Sequence, residues 1–76
     1  MKSERHTEEL IRFGKHLKTV RELKGFSQEA LANESDLSLS QISRIERGVI
    51  SSSLSQLICI SKALGLNLSE LFKFDN

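Results

Sequence analysis

Hydroxyl, amide and guanidinium side chains alternate with isoleucines over residues 39–47, LSQISRIER. At about 100° per residue, a helix over this segment would place Ile42 and Ile45 on one face. Its opposite face would carry Ser40, Ser43, Arg44 and Arg47. Small hydroxyls suit entry into a narrow polar groove, and a guanidinium can bond O6 and N7 of guanine together. The pattern therefore favours insertion into the DNA major groove, with an ordinary solvated helix face as the alternative.

A second short helix is predicted immediately before this one, and the two must be held at a fixed angle. Ser27 and Ser38 are suited to cap the two helices, and the turn-forming letters NESD at 33–36 lie between them. Two short helices joined by so short a turn indicate a helix-turn-helix unit. Ala32 is small enough for a close approach of the two axes, and Leu37 can fill the gap beneath the turn.

The other residues that begin or end helices predict an all-α chain of five short helices, in which the second and third form the helix-turn-helix. The first begins at Thr7 and ends at Gly25, and the fourth runs from a Ser53 cap to Gly65. A fifth helix is predicted to begin at a Ser69 cap. We expect one domain over residues 7–76, preceded by a flexible segment over residues 1–6.

Composition narrows the function further. The 76 residues carry a net charge of +1, one cysteine and two histidines, so disulfides and metal sites have little support. No apolar run approaches the roughly 18 residues of a membrane span, so the cytoplasm is the expected compartment. No nucleophile–base pair, paired carboxylates or ligand cluster stands out. We therefore expect neither an enzyme nor a bound cofactor.

Three segments, FGKHLKTVRELKGFSQEALA, LSQISRIERG and SLSQLICISKALGLNLSELF, resemble the lambda-repressor-like helix-turn-helix domains of phage repressors, Cro proteins and bacterial regulators. The resemblance covers roughly residues 13–72. It rests on the ordered set Arg21, Gly25, Ser27-Gln28, Leu31-Ala32, Ile42-Ser43, Ile45-Glu46, Gly48 and Leu64-Gly65.

The resemblance implies roles for individual residues. Positions that meet base edges correspond to Leu39, Ser40 and Arg44, with Gln41 and Ser43 beside them. Phosphate contacts correspond to Ser27, Gln28 and Arg47. Gln28 also braces the recognition helix, which is the predicted third helix over residues 39–47. Arg21 and Glu46 correspond to a buried structural ion pair.

The sequence departs from the family pattern at three positions. Asp36 occupies a turn position that usually holds glycine, and Ser35 precedes it where an apolar residue is frequent. Leu39 occupies a base-contacting position although leucine can only pack on a thymine methyl. The turn and the short chain also resemble the restriction–modification controller proteins, a subgroup of this family.

The resemblance implies a sequence-specific transcriptional regulator, such as a repressor, that binds double-stranded DNA. A single DNA-binding domain of this size covers only half of a typical operator, so a homodimer on a pseudo-palindromic site is expected. Candidate dimer residues are Ile58, Cys59, Leu68, Leu71, Phe72 and Phe74. Phe74 lies past the last predicted helix and is expected to be difficult to bury in one chain. The alternative function is an antitoxin or another interaction module of the same fold, whose partner is a protein such as a toxin or polymerase.

Overall fold

The computed structural model describes residues 6–74, and these form five α-helices without a strand. The helices are α1 (Thr7–Leu23), α2 (Gln28–Ser35), α3 (Leu39–Arg47), α4 (Leu54–Leu64) and α5 (Leu68–Leu71). The predicted all-α fold with a helix-turn-helix at α2 and α3 is confirmed. Of the segment predicted to be flexible, residues 1–5 lie outside the described residues, and His6 is the N-cap of α1. Residues 75 and 76 also lie outside them.

Serine hydroxyls begin the three central helices as predicted. Ser27 accepts a hydrogen bond from the backbone N–H of Ala30 at 3.0 Å, and Ser38 and Ser53 accept equivalent bonds at 3.0 and 3.1 Å. Each bond satisfies one of the four N–H groups left over at a helix start. The prediction was wrong at α5, where Asn67 and not Ser69 is the cap. There the Glu70 side chain reaches back to the Asn67 backbone N–H at 2.9 Å.

The turn between α2 and α3 is shorter than the letters NESD indicated, because α2 continues through Ser35. The Ser35 hydroxyl is buried and donates to the Leu31 carbonyl at 2.7 Å, so it stays within the helix. Asp36 then ends α2 with a left-handed backbone (φ 61°), and Leu37 donates its N–H to the Ala32 carbonyl at 3.0 Å. This arrangement directs the half-buried Leu37 side chain against the core, as predicted.

Each of the five helices contributes one fully buried side chain to a single core. These side chains are Leu17, Leu31, Ile42, Ile60 and Leu71. The proposed dimer role of Leu71 is thereby corrected, because a side chain with no exposed surface cannot contact a second copy. The same burial explains how the four-residue α5 is held, since so short a helix has little stability of its own.

Gly14 brings α1 and α3 into backbone contact. A Cβ atom at this position would lie 2.4 Å from the carbonyl oxygen of Glu46 and 2.5 Å from that of Ile45. Any side chain here would push α3 away from α1. The sequence interpretation missed this role, although an isolated glycine inside a helix is itself a signal of close packing.

Phe74 packs back onto α1. Its ring centroid lies 6.2 Å from that of Phe13 and 5.5 Å from that of His16, and the side chain is half-buried. Phe13 also contacts Phe72, with 5.6 Å between ring centroids. The expectation that Phe74 would be difficult to bury in one chain was therefore wrong, because α1 offers it an aromatic partner.

Candidate nucleic-acid interface

The outer face of α3 is a continuous polar surface. Ser40, Arg44 and Arg47 are exposed, and Ser43 is half-buried beside them. At about 100° per residue these four side chains span an arc of roughly 100°. The buried side chains of α3 are Ile42, Ile45 and Glu46. Leu39 lies at the edge of the polar face with 48% of its surface exposed.

Arg44 and Arg47 form no ion pair with any residue between 6 and 74. Within that range the two ion pairs are Arg12 with Glu8 and Arg21 with Glu46. The positive charge of the α3 face is therefore not neutralised by an adjacent carboxylate. A guanidinium of this kind can donate to a base edge or to a phosphate.

Gln41, a predicted base-contacting residue, is already engaged at the start of α3. Its Oε1 accepts the backbone N–H of Ser38 at 2.9 Å, while the Ser38 hydroxyl accepts the backbone N–H of Gln41. This reciprocal capping box fixes the first turn of the helix. The amide nitrogen of Gln41 keeps both of its hydrogens for a base or phosphate, and Oε1 keeps one lone pair for a donor on a base.

A buried hydrogen-bonded network fixes α3 against α1 and α2. The Arg21 guanidinium donates from Nε to Glu46 Oε2 at 2.6 Å and from Nη2 to Glu46 Oε1 at 3.0 Å. The structure thus forms the ion pair that the resemblance implied, with side chains only 7% and 3% exposed. Arg21 Nη1 also donates to the Phe26 carbonyl at 2.8 Å, which ties in the turn before α2. The hydrogen bond to Glu46 raises the pKa of Arg21 above its ordinary value, so the guanidinium stays charged at any physiological pH.

Gln28 links this network to the N-terminus of α2. Its Nε2 donates to Glu46 Oε1 at 2.9 Å, as expected of a residue that braces the recognition helix. An amide nitrogen carries two hydrogens, so the second remains available for a phosphate. The Ser27 hydroxyl is engaged as the cap of α2, which leaves its own O–H as a donor. The first backbone N–H groups of α2 lie beside both side chains and favour an anion.

Other kinds of site find little support in the same residues. No three His, Cys, Asp or Glu side chains gather where they could hold a metal ion in the part of the chain that the structure describes. None of the helices found there is both long and apolar enough to cross a membrane. The single cysteine, Cys59, is exposed on α4 and unpaired by any disulfide.

Comparison with known proteins identifies the family. A Helix-turn-helix family model matches residues 17–71. Control protein C.MunI from Mycoplasma sp is 48% identical over 63 residues, which are 82% of this chain and 85% of that protein. Control protein C.BamHI from Bacillus amyloliquefaciens is 44% identical over 63 residues, which are 82% of this chain and 78% of that protein.

A solved structure agrees with these relatives. The restriction-modification controller protein C.AhdI from Aeromonas hydrophila superimposes with a TM-score of 0.84 and 38% identity, over 86% of this chain and 98% of that one. The predicted resemblance to lambda-repressor-like domains, and to their controller subgroup, is thereby confirmed. The chain belongs to the helix-turn-helix family and, within that family, is similar to restriction-modification controller proteins.

Proposed function

We propose that this protein is a sequence-specific, DNA-binding transcriptional regulator that acts by occupying its operator and uses no catalysis or cofactor. The observation that carries the proposal is the outer face of α3, where two exposed arginines lie beside small hydroxyls and have no acidic partner among residues 6–74. Guanidinium groups can donate to guanine edges and phosphates, and the hydroxyls beside them can bond either, so this face carries the groups that major-groove binding uses. The control-protein names of two relatives support the same function, and the restriction-modification controller C.AhdI suggests that the regulated genes belong to a restriction–modification system.

The proposed binding mode places α3 in the major groove. Arg44 would donate to a guanine, with Ser40 and Ser43 against neighbouring base edges. Arg47 at the end of α3 would contact a phosphate. Gln28 would donate to a phosphate through its second amide hydrogen. Because Gln28 is also bonded to Glu46 of α3, this phosphate contact would fix the depth of the recognition helix in the groove.

Leu39 gives the proposed interface an apolar element. Nearly half of its surface is exposed at the N-terminal end of α3. Leucine cannot hydrogen-bond a base, but its methyl groups can pack against the C5-methyl of thymine. We therefore expect a thymine opposite Leu39 in the preferred site.

The proposed active form is a homodimer, since one copy of α3 covers only half of a two-fold operator. Support comes from apolar side chains left at the surface of α4 and after α5. Ile58 is 37% and Phe72 is 49% exposed, and Cys59 is exposed on α4 away from its buried positions. Leu68 and Phe74 are half-buried in one copy and can only border such an interface.

Selection of bound sites from random duplex DNA tests the proposal. A palindromic consensus with two equivalent half-sites is the expected result, because a two-fold dimer presents two identical faces. If no sequence is enriched over the starting pool, the protein-partner alternative replaces DNA binding. A single, non-repeated half-site would keep DNA binding and overturn the dimer.

A further inference from the structure

A second positively charged surface lies away from the proposed DNA interface. It is an open depression of about 380 Å³ between α1 and residues 73–74, which follow α5. The side chains that line it are Arg12, Lys15, His16, Thr19, Lys73 and Phe74, which we call the basic depression. No carboxylate is among them.

The basic depression faces away from α3. Gly14 marks the side of α1 that touches the α3 backbone. The four α1 residues of the depression lie about 100° to 200° around the helix from Gly14, at 100° per residue. A duplex held by the outer face of α3 therefore contacts a different side of the molecule.

Little of the charge in the depression is neutralised by residues 6–74. Arg12 has an exposed, helix-spaced partner in Glu8 at 3.4 Å, a type of pair that holds a charge only weakly. Lys15 and Lys73 form no ion pair with residues 6–74. Glu70 forms no ion pair with either lysine, and its Oε1 accepts the Asn67 backbone N–H at the start of α5. The molecule as a whole carries only +1, so this concentration of cations is local.

Contacts between α1 and the residues around α5 hold the wall of the depression in place. His16 bonds the Glu70 backbone carbonyl through Nε2 at 3.1 Å, which joins α1 to the end of α5. The same imidazole lies 5.5 Å from the Phe74 ring, so two rings form part of the wall. A ligand here would meet cations at the rim and aromatic surface beside them.

We propose that the basic depression binds an acidic segment of a protein partner, in which an apolar side chain lies between carboxylates. The carboxylates would pair with Arg12, Lys15 and Lys73, and the apolar side chain would pack on Phe74. An open depression of this size can take a few projecting side chains, whereas a DNA duplex presents a convex phosphate ridge. Under the proposed function, on which this inference rests, the depression is the face through which the DNA-bound regulator contacts a second protein.

A peptide selection with matched variants tests the inference. A phage library of random twelve-residue peptides is selected against the wild-type protein, the depression variant Lys15→Gln/Lys73→Gln, and the control Lys18→Gln/Lys62→Gln. The control removes the same charge from exposed lysines outside the depression. We expect acidic peptides with an aromatic or aliphatic residue to be enriched on the wild type and the control but not on the depression variant. In solution at 150 mM salt, the enriched peptide should bind the depression variant at least tenfold more weakly than the control.

The outcomes separate this inference from the proposed function. Absence of acidic enrichment, or equal weakening in both variants, overturns the depression as a docking site. Competition of the peptide by random-sequence duplex would assign the surface to nucleic acid instead. Binding to the duplex selected from the random DNA pool is measured in parallel, and the depression variant should stay within threefold of wild type. If the wild type selects no DNA site while the peptide result holds, only the proposed function fails.

Discussion

The buried Arg21–Glu46 pair allows a test of how α3 is held. The structure predicts that a variant lacking both charges is more stable than either variant lacking one. Arg21→Met leaves the Glu46 carboxylate, 3% exposed, with Gln28 as its one remaining side-chain donor among residues 6–74. Glu46→Leu leaves the Arg21 guanidinium with the Phe26 carbonyl alone. Breaking a buried pair from one side costs about 3–5 kcal/mol, because a charge is left without a partner in a site that water reaches poorly. A domain of 76 residues has a total stability of about 4–11 kcal/mol, so either single variant should lose a large fraction of it.

The double variant Arg21→Met/Glu46→Leu should be more stable than either single variant. Both charges are gone and apolar groups of similar size fill the site, an exchange that is often close to neutral. We expect its free energy of unfolding to fall by no more than about 2 kcal/mol. The loss comes chiefly from the Gln28 amide and the Phe26 carbonyl, which must find water as a new partner. Two independent losses would instead sum to roughly 6–10 kcal/mol.

Urea unfolding followed by circular dichroism at 222 nm measures these free energies. All variants must be compared at one protein concentration, since a dimer gains stability by mass action. A double variant less stable than both single variants would refute the account of a desolvated, mutually dependent pair. So would single-variant losses below about 1 kcal/mol, the size expected of an exposed pair.

Three further predictions concern the packing of α1, the turn and the dimer. Gly14→Ala should lower the free energy of unfolding by about 1–3 kcal/mol and weaken DNA binding, because the new Cβ displaces α3. As a control, Thr19→Ala on the exposed side of α1 should change the free energy of unfolding by less than about 0.5 kcal/mol. Unchanged urea midpoints for both would contradict the backbone contact. Asp36→Gly should raise stability by about 0.5–1 kcal/mol, because relief of the left-handed strain at φ 61° exceeds the entropy that glycine loses on folding, and Asp36→Ala should show no such gain in thermal unfolding. Ile58→Glu/Phe72→Glu should shift sedimentation at micromolar concentration to the monomer while leaving the far-ultraviolet spectrum unchanged, whereas retention of the dimer would place the interface elsewhere.

Local features of this fold were predictable from the sequence because they depend on neighbouring residues. Ser27, Ser38 and Ser53 cap their helices, since a hydroxyl needs only the N–H groups of the next turn. The letters SLSQ occur at both 38–41 and 53–56, and both copies form a capping box in the structure. The repeated SLSQ letters are therefore a local signal that Gln41 and Gln56 bond their own helix starts.

Features that depend on distant residues were not predictable in the same way. The contact between Gly14 and the Glu46 carbonyl joins residues that are 32 positions apart, and no local pattern specifies that crossing. Leu71 and Phe74 are similar apolar residues near the chain end, yet one fills the core and the other packs on the side of α1. Hydrophobicity alone cannot separate these cases, because the position of α5 is set by the helices on which it packs.

The candidate site divides along the same line. Helical periodicity predicted that Ser40, Ser43, Arg44 and Arg47 share one face. In the structure they do, with Ser43 half-buried and the other three exposed. The bracing role of Gln28 came from family resemblance, since nothing near residue 28 points to Glu46. The structure adds the distance that makes this bracing physical, 2.9 Å from Gln28 Nε2 to the carboxylate.

The central proposal, that α3 binds bases through Arg44 and a phosphate through Arg47, is tested most directly by one titration series. Affinities of Arg44→Ala and Arg47→Ala for the selected site and for random-sequence duplex are measured over a range of salt concentrations. Arg44→Ala should lose about 1–3 kcal/mol on the selected site and little on random DNA, because only the base contact is specific. Arg47→Ala should weaken both duplexes alike and lower the salt slope by about 1, as loss of one phosphate contact requires. Unchanged specificity in Arg44→Ala would contradict the proposed interface.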